Sequence, residues 1–307
     1  MPHFLGLDCG GSTSRALIVD SSGTTLFEGR GGPANVSSTP VDELTRNLRQ
    51  CLDGAPVVDV AAGCFAGLVS RQTASKAESV LRDLVSDAEL TVRPDYEAAL
   101  AATDVDIDVL VVAGTGSLVC SSKDGTLKKS GGGGPLLGDQ GSAFDMGRNA
   151  IARLCVEDPS EPASREFWRL VESLFGTTDR GELVAAIYQS RSSTQDLAQL
   201  AKVVGKDYGD GVRYAVESVK QSLSSLAGLV VGHVSKYCAT GPIVQVAVTG
   251  GLWDASPLFL HSFQGELNLY QESDQTADNC RQYHVKRQEA EPVIGAVRIA
   301  QRMFYGN

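Results

Sequence analysis

Two runs of glycine and hydroxyl residues stand behind apolar segments in this chain of 307 residues: Asp8-Cys9-Gly10-Gly11-Ser12-Thr13-Ser14 and Gly114-Thr115-Gly116-Ser117. Glycine lets backbone N–H groups point inward and come close to an anion, and neighbouring hydroxyls add donors. Both runs therefore suit the phosphates of a nucleotide. Asp8 ends the first apolar segment and is placed to hold waters around Mg²⁺, an ion that keeps much of its hydration shell. A third pair, Gly250-Gly251, closes another apolar run, where a nucleoside can lie against backbone. The competing reading is that these are hairpin turns. Neither run is a P-loop, and no dinucleotide fingerprint follows the first strand. Two carboxylates complete the inventory. Asp95 opens a helix after a short strand, and Asp139 stands just ahead of another helix. For each, capping the helix is the plain structural alternative to chemistry.

Elements of both kinds are needed to position these groups. Strands are expected at His3–Leu7, Arg15–Val19, Thr24–Glu28, Val57–Ala62 and Glu89–Val92, with helices over Pro40–Leu52, Thr73–Val85 and Tyr96–Ala102. Thr39 is the expected cap of the first helix. The pattern then restarts. Val109–Ala113, Ser117–Ser121 and Thr126–Lys129 read as strands, with a hairpin turn at Asp124-Gly125. The stretch SSGTTLFEGRGGPA (21–34) parallels SSKDGTLKKSGGGGP (121–135), which suggests a duplicated α/β fold. Beyond it the chain turns helical, over Gln140–Cys155, Ala163–Leu174, Arg180–Tyr188, Ser193–Val204 and Gly211–Tyr237. A strand at Ile243–Thr249 follows, then helices at Ser256–Phe263 and Pro292–Met303. A boundary is expected in the acid-rich loop near 105–112.

Composition narrows the class. Lys and Arg total 27 against 37 for Asp and Glu, a formal net charge of −10. An acidic surface repels nucleic acid and anionic membranes at long range, so neither is an expected partner. No export leader or membrane span is expected, which points to the cytoplasm. The seven cysteines (Cys9, Cys51, Cys64, Cys120, Cys155, Cys238 and Cys280) form no CxxC pair and are odd in number. They read as reduced thiols rather than a zinc or iron–sulfur site. The four histidines show no ligand spacing and read as structural.

The motifs LGLDCGGSTSRALIVD (5–20), PAN (33–35), RPDYEAAL (93–100), VVAGTGS (111–117), GGGGPLLGDQGSA (131–143), VTGGLW (248–253) and PVIGAVRIA (292–300) occur in one order across nearly the whole chain. In these the sequence resembles the N-acetylglucosamine kinase/BadF–BcrA ATPase family of the sugar kinase, heat-shock ATPase and actin superfamily. The resemblance implies two RNase-H-like (actin-like) α/β lobes around a cleft for ATP and a sugar. It implies a smaller lobe over 1–110, a larger one with a helical insertion over 111–291, and a terminal helix, 292–307, packed back on the first. It implies Asp95 as catalytic base and Asp8 as the Mg²⁺-facing carboxylate, acting through water. ATP contacts fall on Gly10, Gly11, Ser12, Thr13, Gly114, Thr115, Gly116, Val204, Gly250 and Gly251. Sugar contacts fall on Asn35, Asp95, Gly132, Gly133, Gly134 and Asp139.

Two departures are visible. Gly133 stands where animal N-acetylglucosamine kinases carry a Trp, and Thr13 where many relatives have Lys or Arg. The expected activity is transfer of the γ-phosphate of Mg-ATP to glucosamine or N-acetylglucosamine, at the 6-hydroxyl, with pairing into a homodimer left open. The alternatives are an ATPase that activates a radical dehydratase or reductase, and a sugar-sensing regulator.

Overall fold

The structure, a computed structural model, describes residues 1–103, 106–123, 126–158, 160–238, 241–273 and 281–306. In chain order the first elements are β1 (His3–Cys9), β2 (Ser14–Asp20), β3 (Thr25–Gly31), α1 (Val41–Cys51), β4 (Val60–Phe65), α2 (Arg71–Leu84), β5 (Glu89–Pro94) and α3 (Asp95–Ala101). The second set begins with β6 (Val109–Ala113), β7 (Ser117–Lys123), β8 (Thr126–Gly131), α4 (Gly134–Leu137) and α5 (Ala143–Ala152). A π-helical turn at Arg153–Glu157 leads to α6 (Arg165–Phe175), α7 (Arg180–Gln189), α8 (Ser193–Gln199), α9 (Ala201–Gly209) and α10 (Arg213–Tyr237). The chain ends with β9 (Ile243–Thr249), α11 (Leu252–Ala255), α12 (Leu258–Ser273), β10 (Gln282–Arg287) and α13 (Pro292–Tyr305).

Two units result: Met1–Asp106 with Gln288–Asn307, and Ile107–Arg287. The first holds a five-stranded sheet of order β3-β2-β1-β4-β5. Its first three strands are antiparallel, and β4 and β5 run parallel to β1. The second sheet, β8-β7-β6-β9-β10, repeats that order and those directions. The duplication read from two short segments is thus a duplication of topology, and the expected α/β class with two RNase-H-like lobes is borne out. Among the described residues no helix is long and apolar enough to cross a membrane.

Alternation along β1 sorts its side chains between two layers. Leu5, Leu7 and Cys9 pack with Leu44 and Leu48 of α1 and Val80 and Leu81 of α2. Phe4 packs with Val297 and Ala300 of α13. Asp8 shares the parity of Phe4, so it ends β1 on the face that α13 covers. The other side of α13 packs on α3, and that contact depends on Gly295. A Cβ there would lie 1.8 Å from the Ala98 carbonyl oxygen, so α13 crosses α3 with its backbone almost in contact. Arg298 of α13 fastens the pair by donating to the carbonyls of Ala101 (3.0 Å) and Thr103 (3.3 Å), at the acceptor-rich end of α3.

Several expected boundaries move. Pro40, not Thr39, occupies the cap position of α1, and its side chain makes no capping bond. The helix expected from Thr73 starts two residues earlier, because Ser70 and Thr73 form a reciprocal capping box. The strand expected at Val57–Ala62 is β4, displaced to Val60–Phe65. The single helix expected over Ser193–Val204 is two, α8 and α9, meeting at Leu200. β10 was not expected. The hairpin turn at Asp124-Gly125 and Cys280 lie outside the described residues.

Candidate active site

In the first unit the polar residues collect where β1 ends. The β1–β2 register sets Arg15 directly opposite Asp8. Arg15 Nη1 donates to Glu291, the residue that precedes α13 at its cap position. Asp95 comes to the same neighbourhood from α3. Burial, and next the Asp95 carboxylate, push Asp8 up to about 7, against the opposing pull of Arg15. Two carboxylates that repel each other in a half-buried position are the donor chemistry that a hydrated divalent cation relieves. Asp8 therefore fits a Mg²⁺ role. Arg15 is a cation that sequence reasoning missed. It stands two residues beyond Thr13, and the β1–β2 register is what places it opposite Asp8.

Asp95 is not a helix cap. Pro94 holds the cap position with extended backbone, and Asp95 is the first helical residue. Its Oδ1 accepts the N–H of Tyr96 at 3.0 Å, and an acid in the first turn also suits the helix dipole. Asn35 takes the turn role that its residue type allowed. Its Oδ1 accepts Ser37 N–H (3.0 Å) and Ser37 Oγ–H (2.7 Å), which leaves its amide NH₂ as what it can offer a ligand. Gly10 closes the first glycine loop, donating to the Thr13 carbonyl at 2.9 Å. Cys9 is fully buried, and burial raises its thiol well above the usual range, so it is no nucleophile.

In the second unit four loops meet at the end of β6. The Gly114 and Thr115 carbonyls accept Ala143 N–H (2.8 Å) and Phe144 N–H (3.3 Å), the first donors of α5. Gly132 N–H donates to the Ser117 carbonyl at 3.0 Å. Gly250, at φ 105°, lies against Ala113. Asp139 is not a cap either, since Ser142 caps α5. Asp139 is the one non-glycine residue with positive φ (63°) among the described residues. Its buried carboxylate accepts Ser117 N–H at 3.2 Å, and Ser117 Oγ donates to the Gln140 carbonyl at 2.7 Å. Burial raises the Asp139 pKa. A Cβ on Gly116 would meet that carboxylate at 2.9–3.0 Å, so the glycine that faces a phosphate in one reading also makes room for Asp139.

The structure thus brings together, within this unit, Gly114, Thr115, Gly116, Gly132, Asp139, Gly250 and Gly251. Gly133 abuts Leu137. A Cβ there would sit 3.2 Å from Leu137 Cβ, so an aromatic at 133 requires Leu137 to move. Val204 is a correction: it was expected at the nucleotide, but it is fully buried in the core of this unit, leaving no surface for a ligand.

The family model described as "BadF/BadG/BcrA/BcrD ATPase family" matches residues 5–300. The chain belongs to this family. Relatives of this family member include the N-acetylmuramic acid/N-acetylglucosamine kinase of Clostridium acetobutylicum, 25% identical, with 88% of this chain and 91% of that protein covered. The glucosamine kinase of Vibrio cholerae is 23% identical, over 80% of this chain and 86% of its own length. Among solved structures, a Chromobacterium violaceum protein provisionally assigned as an N-acetylglucosamine kinase superposes with a TM-score of 0.74. It is 20% identical, and 98% of this chain and 99% of that one are covered. That likeness concerns the fold.

One stability prediction follows from Asp8. Its folded pKa lies above the unfolded value of 3.8, so the group's contribution is fully present below pH 4 and is lost as pH rises through about 7. Asp8→Asn removes this penalty. Without ligand at pH 8 the variant is expected to be more stable than the wild type by roughly 1–4 kcal/mol, and the gain should vanish at pH 4. Denaturant titrations at the two pH values check this. An equal or negative difference at pH 8 contradicts it.

Proposed function

We propose that this family member is an ATP-dependent amino-sugar kinase that transfers the γ-phosphate to a hydroxyl of glucosamine or N-acetylglucosamine, the 6-hydroxyl being the favoured acceptor. The observation that carries this reading is the convergence in the second unit. Glycine backbone, hydroxyls and a buried carboxylate meet at one strand end, and Gly114 and Gly251 have no internal reason to be glycine. A Cβ on Gly251 meets nothing within 4 Å, and one on Gly114 comes no nearer than 3.8 Å to another atom. Neither has the positive φ that demands glycine. Small residues there leave room for a ligand to approach the backbone. The names of two curated relatives, one an N-acetylmuramic acid/N-acetylglucosamine kinase and one a glucosamine kinase, support the substrate class.

In this reading Asp95 takes the proton from the attacking hydroxyl. Asp8 would hold the hydration shell of a bound Mg²⁺, which would supply charge neutralisation on the phosphates. Backbone N–H groups of the 10–13 and 114–116 loops, with Ser12, Thr13 and Thr115, bind phosphate oxygens. Gly250-Gly251 offers backbone to the nucleoside. Asn35, the 132–134 loop and Asp139 hold the sugar, Asp139 by accepting from its hydroxyls. The radical-activating ATPase reading needs surface thiolates for an iron–sulfur cluster. Cys120 is fully buried in β7, and Cys155 is half-buried with its thiol raised by burial.

The 133 position sets an expected specificity. Without an aromatic wall, N-acetyl recognition is weak, since one methyl contact contributes only about 1–3 kcal/mol of discrimination. Coupled ADP-release assays over glucosamine, N-acetylglucosamine, N-acetylmannosamine, N-acetylmuramate and glucose test the reading. Turnover with the first two, at kcat/KM values within about a hundred-fold of each other, is expected. A preference for N-acetylglucosamine above about a thousand-fold means that another residue reads the acetyl group.

A further inference from the structure

The loop that carries Asp139 is held in an unusual shape by groups to which no role has been assigned. Asp139 has φ 63° and Gly141 φ 71°, so the chain passes twice through the left-handed region within three residues. Ser142 N–H closes this turn on the Asp139 carbonyl at 3.1 Å. Asp145, the third residue of α5, is buried, and its N–H donates to Ser142 Oγ at 3.1 Å. In a standard capping box its carboxylate would return to the cap residue's own N–H. Here that N–H is already used by Asp139. Asp145 Oδ2 reaches one residue further back and accepts Gly141 N–H at 2.9 Å, and its Oδ1 accepts Arg148 at 2.5 Å.

The network continues to a second helix. Asn149 Nδ2 lies 3.5 Å from Asp145 Oδ2 and donates to Ser222 Oγ of α10 at 2.9 Å. Gly141 itself is pressed on α10: a Cβ there would lie 2.5 Å from Leu226 Cβ and 2.6 Å from the Ser222 carbonyl. The turn is therefore clamped from α5 through Asp145 and from α10 through backbone contact, and Asn149 ties the two helices together.

We propose that Asp145 is a positioning residue for the sugar-binding carboxylate of Asp139, acting through Gly141, with Asn149 and Ser222 fixing its own orientation. The proposal rests on the sugar role of Asp139. The nucleotide-facing 114–116 loop is tied to α5 by backbone bonds from Ala143 and Phe144 that do not involve the Asp145 side chain. Loss of Asp145 therefore acts on the sugar and spares the nucleotide.

Steady-state kinetics with glucosamine and ATP test this. Asp145→Ala is expected to raise the sugar KM 10- to 100-fold and leave the ATP KM within twofold. Asp145→Asn keeps an oxygen for Gly141 N–H and is expected to return the sugar KM to within threefold of wild type. Ser222→Ala, a small deletion that keeps the fold, is expected to raise the sugar KM three- to tenfold, and it carries the test if Asp145→Ala does not fold. An unchanged sugar KM in a folded Asp145→Ala, a parallel rise of both KM values, or an Asp145→Asn no better than the alanine overturns the proposal. Asp139→Ala is measured alongside. If it leaves the sugar KM at the wild-type value, the sugar reading has failed at its source and Asp145 has nothing to position.

Discussion

Replacing Asp95 by Asn is expected to lower kcat by about 10²–10⁴ while leaving the protein folded, the usual contribution of a positioned base. Three features of the structure make this a clean test. Asparagine keeps an oxygen that can accept Tyr96 N–H, so the first turn of α3 keeps its local bond. Pro94, not Asp95, holds the cap position, so no capping bond is lost. The placement of α3 comes from elsewhere, from Gly295 against Ala98 and from Arg298 on the last carbonyls of the helix. What the substitution removes is the charge and the capacity to accept a proton. The sugar KM should change much less than kcat, because an amide still hydrogen-bonds a hydroxyl. A folded variant that keeps more than a tenth of wild-type turnover removes Asp95 from the base role.

The second large effect is expected at Gly251. Gly251→Val places its Cβ where the fold leaves nothing within 4 Å, at helical backbone angles (φ −68°, ψ −14°) that valine adopts. Stability should change by less than about 1 kcal/mol, as for a surface substitution away from special features. Nucleotide affinity should fall by at least about a hundred-fold, since a displaced backbone contact in a snug site costs about 3 kcal/mol or more. Titration calorimetry with ATP and a thermal melt of the same sample check both halves. Unchanged ATP affinity means that Gly251 faces solvent in the working protein. Gly116 is a poorer choice for this purpose. A valine there collides with the Asp139 carboxylate, so sugar and nucleotide binding would be lost together.

Much of this is legible in the amino-acid sequence. Strands such as Val109–Ala113 and Ile243–Thr249 fall where apolar β-branched runs and flanking glycines put them, because both are interior strands of their sheet, β6 buried along most of its length and β9 over Val246–Thr249. β10 was missed for the opposite reason. Its sequence, Gln-Tyr-His-Val-Lys-Arg, is that of an edge strand, and the parallel partner that makes it a strand, β9, is remote in sequence. The break at Leu200 between α8 and α9 carries no Pro or Gly to announce it.

The candidate site divides in the same way. Glycine loops and the two carboxylates declare themselves by residue type and spacing. Whether an aspartate caps a helix depends on where the helix begins, and a shift of one residue at Asp95 and three at Asp139 takes each out of the cap position. Arg15 and Glu291 are invisible as site residues because strand register and the packing of α13 bring them there, and Asp145 because its spacing from Ser142 is that of an ordinary capping box. Val204 was assigned to the nucleotide from resemblance alone, and its burial in the core corrects that.

In the proposed reaction phosphate moves from ATP to a hydroxyl of an amino sugar. Phosphorus NMR of wild-type protein with ATP, Mg²⁺ and glucosamine tests it most directly. A sugar-phosphate resonance is expected to grow in step with ADP, to fail to grow with Asp95→Asn, and to be absent without sugar. Release of inorganic phosphate with no phosphosugar, at a rate indifferent to the sugar, would contradict it.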